Sequence, residues 1–146
     1  MILLFFILPA GAGILAPLIT SRYKRYIGWG STVVMLALFG LALSQVPRVS
    51  SGHTVVFSYQ WVDKLGVQFS FLLDGFSIFF VLLITGMGAL IFLYSQEYMR
   101  QHANRLKFYA WMLIFSGAML GLVTASNLVV IYLFWEMTTI SSFFLI

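Results

Sequence analysis

The chain has 146 residues, of which 62% are hydrophobic and only 8% are charged. Soluble domains carry about 25% charged residues, so this composition excludes a soluble globular domain and indicates an integral membrane protein. The net charge is +4, but the cations fall in short segments between apolar stretches, where they set membrane topology rather than bind nucleic acid. The sequence has no cysteine, no histidines at metal-ligand spacing and no phosphate-binding glycine loop, so no cofactor and no metal are expected.

Five long apolar stretches predict an all-α membrane protein with about five transmembrane helices in a single membrane domain, 1–146. At about 1.5 Å per residue, such stretches approach the roughly 30 Å of a bilayer core. The predicted spans are approximately 2–20, 28–46, 74–98, 106–124 and 127–146. Pro47 is expected to end the second helix, because proline disfavours helical geometry in the residue before it. Asp74 and Asn127 are expected to cap the third and fifth helices.

The segment between the second and third spans is too polar to cross a membrane. It contains two runs of alternating apolar and polar residues, 54–62 and 67–73, separated by a four-residue stretch that ends at Gly66. Alternation predicts strands and the glycine suits a turn, so an extracellular β-hairpin on the membrane surface is expected between helices 2 and 3.

Basic residues predict the orientation. The connections after the first and third spans hold six cations: Arg22, Lys24, Arg25, Arg100, Arg105 and Lys107. By the positive-inside rule both connections are cytoplasmic, which places the N-terminus and the hairpin outside.

The last predicted span contains one carboxylate, Glu136, near its middle. An acid at the bilayer centre costs roughly 2.5–3.5 kcal/mol on insertion scales and is usually functional, which favours a proton relay over a structural carboxylate bonded to a neighbouring helix. Tyr132 and Thr139 lie one turn away on the same helical face and are expected to support the relay. Lys107 differs from Glu136 by about 12 Å in depth, so a basic partner is expected from elsewhere.

Gly117 and Gly121 form a small-residue ridge on the fourth predicted span. Such ridges let another helix approach closely, so a packing role is expected. The helix that brings a base to Glu136 is expected to pack near this ridge.

Four segments carry a family resemblance: LLDG at 72–75, LYSQEYM at 93–99, FSGAMLGLVTASN at 115–127 and FWEMTTISSFFLI at 134–146. They resemble the antiporter-like subunits of the complex I superfamily. That group includes the proton-pumping subunits of NADH:quinone oxidoreductase, their counterparts in membrane-bound hydrogenases, and Mrp-type sodium/proton antiporters. The details look most like the N-terminal part of the A-type subunit of the Mrp antiporters.

The resemblance implies an ion-translocating subunit of a multi-subunit Na⁺/H⁺ antiporter in a prokaryotic plasma membrane, with other membrane subunits as partners. Glu136 would then be the acid of a Glu–Lys pair whose lysine lies on a seventh helix. Because the sequence stops ten residues after Glu136, an N-terminal fragment or a split subunit is expected. Two alternatives stay open: a proton-pumping subunit of complex I or of a membrane-bound hydrogenase, and a non-transporting scaffold. Whether the chain counts as part of an enzyme depends on that choice.

Overall fold

The computed structural model describes residues 1–16, 26–62, 67–100 and 104–146, which form five helices and one two-stranded sheet. The elements in chain order are α1 (Ile2–Leu15), α2 (Ile27–Ser50), β1 (Val55–Val62), β2 (Val67–Leu73), α3 (Gly75–Tyr98), α4 (Arg105–Thr124) and α5 (Leu128–Leu145). Four of the helices, α2 to α5, are long and apolar enough to cross a membrane. The mostly helical, multi-pass architecture is therefore confirmed.

Helix α1 has 14 residues. The first predicted span continues to residue 20, and its last part lies outside the described residues. The count of five membrane spans therefore remains a prediction. The orientation of the chain in the membrane also remains a prediction.

The predicted hairpin is confirmed. Strands β1 and β2 pair antiparallel, with Val55 opposite Leu73 and Tyr59 opposite Phe69. The turn predicted around Gly66 lies outside the described residues. Strand β2 does more than lie on a surface, because Phe71 and Leu73 are buried in the helical core.

The hairpin is also tied to the connection between α4 and α5. The backbone N–H of Ser126 donates to the carbonyl of Ser70 at 3.0 Å, and Phe71 forms a bridge with Ala125. This attachment has no counterpart in the sequence pattern, because it joins segments more than fifty residues apart. It holds the start of α5 against the sheet.

Both predicted helix caps are confirmed. The carboxylate of Asp74 accepts the Ser77 N–H at 2.8 Å, and the side chain of Asn127 accepts the Val129 N–H at 2.8 Å. Each bond satisfies one of the N–H groups that the first turn of a helix leaves without a partner.

The predicted end of the second helix at Pro47 is wrong. Helix α2 continues to Ser50 with Pro47 inside its last turn. The carbonyl of Pro47 accepts both the Ser50 hydroxyl at 3.0 Å and the Ser51 N–H at 3.3 Å, which closes that turn. Proline removes one backbone donor but leaves its own carbonyl available, and here that carbonyl is fully used.

The helices pack in two main groups. Helix α4 lies between α1 and α5, whereas α2 packs along α3. The approach of α1 to α4 is very close, because a Cβ added to Gly13 would lie 2.7 Å from the carbonyl oxygen of Ala110. Glycine at position 13 lets the two backbones approach as in other membrane bundles. At Gly88 of α3 the neighbour is a side chain, because an added Cβ would lie 2.5 Å from the Cε of Met35 on α2.

Candidate functional site

Helix α5 rests on α4 through one narrow stripe. Its buried side chains are Val130, Phe134 and Ser141, which recur on the same side of the helix. Phe134 fits against Gly121 of α4, where an added Cβ would clash with the ring. Phe134 also packs edge-to-face on Phe6 of α1, with ring centroids 5.2 Å apart. This contact fixes which side of α5 faces the bundle.

The two ridge glycines of α4 therefore contact helices of the same chain. A Cβ at Gly117 would lie 3.0 Å from the Phe6 carbonyl oxygen on α1, and Gly121 meets Phe134 on α5. The expectation that a base-carrying partner helix packs near this ridge is wrong, because both glycines are buried under α1 and α5. Such a helix would have to approach elsewhere.

Glu136 lies on the opposite side of α5 from Phe134. Two residues turn a helix by about 200°, so the stripe that seats α5 on α4 directs Glu136 away from α4. The side chain is half-buried and lines a shallow surface pocket of about 300 Å³. The other residues of the pocket are Leu128, Ile131, Tyr132 and Trp135. The carboxylate thus lies beside a face of α5 that the rest of the described chain leaves uncovered.

Of the two predicted supporting residues, Tyr132 lines the same surface pocket as Glu136, which follows it by one helical turn on α5. Thr139 also lies one turn from Glu136, but its hydroxyl donates to the Trp135 carbonyl at 3.2 Å. Thr139 could still accept a hydrogen bond through its remaining lone pairs.

Other hydroxyls of α5 are likewise bonded to the backbone of their own helix. Thr138 donates to the Trp135 carbonyl at 2.6 Å, and Ser141 donates to the Met137 carbonyl at 2.7 Å. Their donors are therefore already used within α5. We call the exposed residues Leu128, Tyr132, Trp135 and Thr139, together with Glu136, the outer face of α5.

No salt bridge to Glu136 is present among the described residues. An ion pair elsewhere in the described chain joins Arg100 to Glu97, 3.3 Å apart on the surface. Trp111 of α4 stacks on Phe144 of α5 at 4.4 Å, which sets the register of the two antiparallel helices. Along the bundle axis, Glu136 lies eight residues from this stack in one direction, and Lys107 lies four residues from it in the opposite direction. At the helical rise per residue, the two side chains therefore differ by about 18 Å in depth. Lys107 does not reach Glu136.

A second set of polar residues, which the sequence did not single out, lies inside the bundle. The amide nitrogen of Gln96 on α3 donates to the Thr32 hydroxyl on α2 at 3.1 Å, and the hydroxyls of Ser95 and Tyr109 are 3.2 Å apart. We call Thr32, Ser95, Gln96 and Tyr109 the inner polar cluster. Ser95 and Gln96 are neighbours in the sequence, but only the tertiary contacts show that they pair with Tyr109 and Thr32. Tyr109 is fully buried.

Asp74 serves as a helix cap. The Ser77 N–H holds the pKa of the Asp74 carboxyl below its usual value, so the charged form that caps α3 is favoured. Within the described part of the chain, no three acidic or histidine side chains come together to hold a metal.

Comparison with known proteins identifies several similar chains. Residues 60–109 match the family described as NADH-Ubiquinone oxidoreductase (complex I), chain 5 N-terminus. The A1 subunit of the Na⁺/H⁺ antiporter of Staphylococcus haemolyticus is 41% identical over 141 residues, which is 96% of this chain and 18% of that protein. The corresponding protein of Staphylococcus aureus is 38% identical over the same share of both chains. The chain thus spans about a fifth of the length of these relatives.

Two solved structures share the fold. A chain of the Mrp complex from a Dietzia species superposes with a TM-score of 0.81 at 31% identity, over 98% of this chain and 15% of that one. A chain of the membrane-bound sulfane sulfur reductase, an archaeal respiratory membrane complex, superposes with a TM-score of 0.77 at 23% identity. That match covers 97% of this chain and 21% of the other, and it shows a shared fold.

Proposed function

Because the chain belongs to the antiporter-like subunits of the complex I superfamily and is similar to the N-terminal part of the A-type Mrp subunit, we propose that it is an ion-translocating component of a multi-subunit Na⁺/H⁺ antiporter. The relatives that support the proposal are named as sodium/proton antiporter subunits and come from bacteria. The plasma membrane of a prokaryote, with the N-terminus outside, is the proposed location. Sodium and protons are the proposed ions.

The observation that carries the mechanism is the placement of Glu136 on the outer face of α5. A carboxyl group in a membrane helix is costly to bury and is retained where it exchanges protons or pairs with a charge. Here the described residues supply no ion pair to Glu136, and Tyr132 lines the same pocket as the carboxylate. Glu136 would accept a proton at this face and release it when a cation approaches, with Tyr132 orienting its oxygens.

The cation would come from a helix outside the described bundle. Among the described residues, Lys107 differs from Glu136 by about 18 Å in depth, and the ridge glycines are covered. The uncovered outer face of α5 is the remaining surface at which a helix carrying the cation could approach Glu136. Other membrane subunits of a hetero-oligomeric complex are therefore the proposed partners, and liposomes with this chain alone should show no sodium-driven proton movement.

The test is proton flux in vesicles that contain the complex purified with this chain, driven by an imposed sodium gradient. Glu136→Gln keeps the size and hydrogen bonding of the side chain but cannot titrate, so sodium-driven proton flux should fall to background at unchanged subunit content. Glu97→Gln is the matched control, because Glu97 is an exposed surface acid paired with Arg100. Full exchange in Glu136→Gln at normal assembly would refute the relay.

A redox-driven proton pump is the second candidate. It is favoured by the complex I description of the family and by the fold shared with a respiratory membrane complex. The two candidates differ in their partners, since a redox pump requires subunits with flavin or iron–sulfur groups. Identification of the subunits that co-purify in mild detergent separates them. In a redox complex, Glu136→Gln would block proton pumping linked to electron transfer and leave no sodium-driven flux to test.

A further inference from the structure

Three aromatic rings join the hairpin, the first helix and α5. Phe71 of β2 stacks on Phe6 of α1 with ring centroids 5.0 Å apart, and it meets Phe134 of α5 edge-on at 6.0 Å. Phe6 and Phe134 close the set at 5.2 Å. We call these three residues the aromatic triad. Such ring pairs attract each other beyond the burial of their area, so the triad ties Phe134 to the hairpin.

The position of Phe71 is set by the backbone on either side of it. Within the hairpin, Phe71 lies opposite Phe57 of β1. Strand β2 ends two residues later at Leu73, which is buried in the helical core, and Asp74 then caps α3. The Phe71 ring is therefore presented to α5 from a sheet that is continuous with α3.

The backbone beside Phe71 also fixes where α5 begins along the bundle axis. The N–H of Ser126 donates to the carbonyl of Ser70 at 3.0 Å, and Phe71 forms a bridge with Ala125. The first turn of α5 follows directly, so β2 sets its depth. The triad sets the rotation of the helix, because Phe134 lies in the buried stripe of α5.

Glu136 is close enough to the triad to follow it. The carboxylate residue comes two positions after Phe134, about 3 Å further along the helix axis. The stack of Phe144 on Trp111, which also attaches α5 to the bundle, lies eight residues beyond Glu136. A rotation of α5 at Phe134 therefore carries Glu136 with it.

The triad is not enclosed on every side. Together with Tyr59 of β1, its rings line an apolar surface pocket of about 410 Å³. Protein interiors are normally packed without voids of that size, so the orientation of Phe134 depends on a few specific contacts. These contacts are Gly121 on α4 and the rings of Phe6 and Phe71.

We propose that Phe71 is a positioning residue for Glu136. By holding Phe134, the hairpin sets the rotation of α5 and thereby the direction in which the carboxylate faces. This role rests on the proposed function of Glu136 as a proton relay. It adds that a hairpin at the end of the bundle controls the relay without touching it.

The first measurement is the position of α5 in the complex purified with this chain. The chain has no cysteine, so Leu36→Cys on α2 and Ile140→Cys on α5 can carry spin labels at two exposed positions. Double electron–electron resonance gives the distance between the labels, and the complex without these cysteines gives the background. Adding Phe71→Ala should shift the mean distance by about 1–2 Å, the usual size of a helix shift at an interface.

The second measurement is sodium-driven proton flux. Phe71→Ala should lower the flux by about tenfold to a hundredfold, because a misplacement of about 1 Å at a reacting group has effects of that size. Phe71→Leu keeps most of the buried volume and should show smaller changes of the same kind, which guards against a failure of Phe71→Ala to assemble.

Phe92→Ala is the matched control. Phe92 is a fully buried ring on α3 that stacks on Tyr109 of α4, so its loss removes a similar amount of packing from the core. The unfolding temperature should fall about as much as in Phe71→Ala, whereas the distance between the labels and the proton flux should stay near wild type. Phe92→Leu is the corresponding control for Phe71→Leu.

Two outcomes would overturn the positioning role. One is an unchanged label distance in both Phe71 variants, and the other is an equal loss of flux in Phe92→Ala. Failure of the relay itself gives a different result, since Glu136→Gln would then retain full flux while Phe71→Ala still shifts α5. Lost flux in Glu136→Gln with an unmoved α5 in Phe71→Ala would keep the relay and refute the positioning.

Discussion

The inner polar cluster and the outer face of α5 are both polar regions of a membrane bundle, but they use their polar groups differently. In the cluster, Gln96 bonds to Thr32 and Tyr109 bonds to Ser95, so every pair joins two helices. Thr32 and Ser95 also bond to carbonyls of their own helices, so the added bond to a second helix is what distinguishes the cluster. On α5, the hydroxyl of Thr139 bonds to the backbone of its own helix. Polar groups that bond across helices stabilise a bundle.

The share of buried residues also differs between α5 and the rest of the bundle. In the most apolar stretch of α5, 17% of the residues are buried, against 44% in α4. Helix α5 is held by the Phe134 contact and by the stack of Phe144 on Trp111. A helix attached along one stripe can present its other side to a further membrane protein. The larger buried share of α2, α3 and α4 indicates that these helices contribute more to stability than α5, on which the proposed relay residue lies.

The largest effect is expected at the contact that joins the two regions. Gly121→Leu should displace Phe134 and destabilise the fold by about 1–3 kcal/mol or more, because the ring occupies the space that the new side chain needs. Thermal unfolding in detergent measures the change, with Gly40→Leu as the control. Unfolding at the wild-type temperature would mean that α5 is not seated on α4 through this glycine.

The two tyrosines give the next largest effect and separate the regions directly. Tyr109→Phe removes a buried hydroxyl that bonds to Ser95, and it should cost about 0.6–1 kcal/mol of stability with little effect on transport. Tyr132→Phe should lower transport with little loss of stability, since Tyr132 is exposed and lines the same pocket as Glu136. Unfolding temperature and sodium-driven proton flux are measured for both variants. A loss of stability in Tyr132→Phe with normal flux would reverse the assignment.

The smallest effect is expected at Thr139. Its hydroxyl donates to a carbonyl of its own helix, so Thr139→Val should change stability by less than about 0.5 kcal/mol and leave proton flux near the wild-type level. The same two measurements apply. A fall in flux as large as that of Tyr132→Phe would show that Thr139 supports the relay, as its sequence position predicts.

Local features of the fold were predictable from the sequence. The hairpin followed from alternation in 54–62 and 67–73, and the caps followed from Asp74 and Asn127 before apolar runs. The end of α2 was mispredicted, because the preference of proline is statistical and the Pro47 carbonyl finds two donors of its own. The importance of Glu136 could be proposed from its position alone, since one acid in a long apolar stretch is conspicuous.

The sequence by itself determined that the chain crosses a membrane, where its hairpin lies, and which carboxylate to examine. Those conclusions rest on hydrophobicity and on short-range periodicity, which a neighbour in space cannot alter. Tertiary structure decided which helices cover Gly117 and Gly121, that Tyr109 pairs with Ser95, and that Glu136 faces away from α4. Such outcomes depend on which side of each helix meets another, and a difference of two residues turns a helical side chain by about 200°.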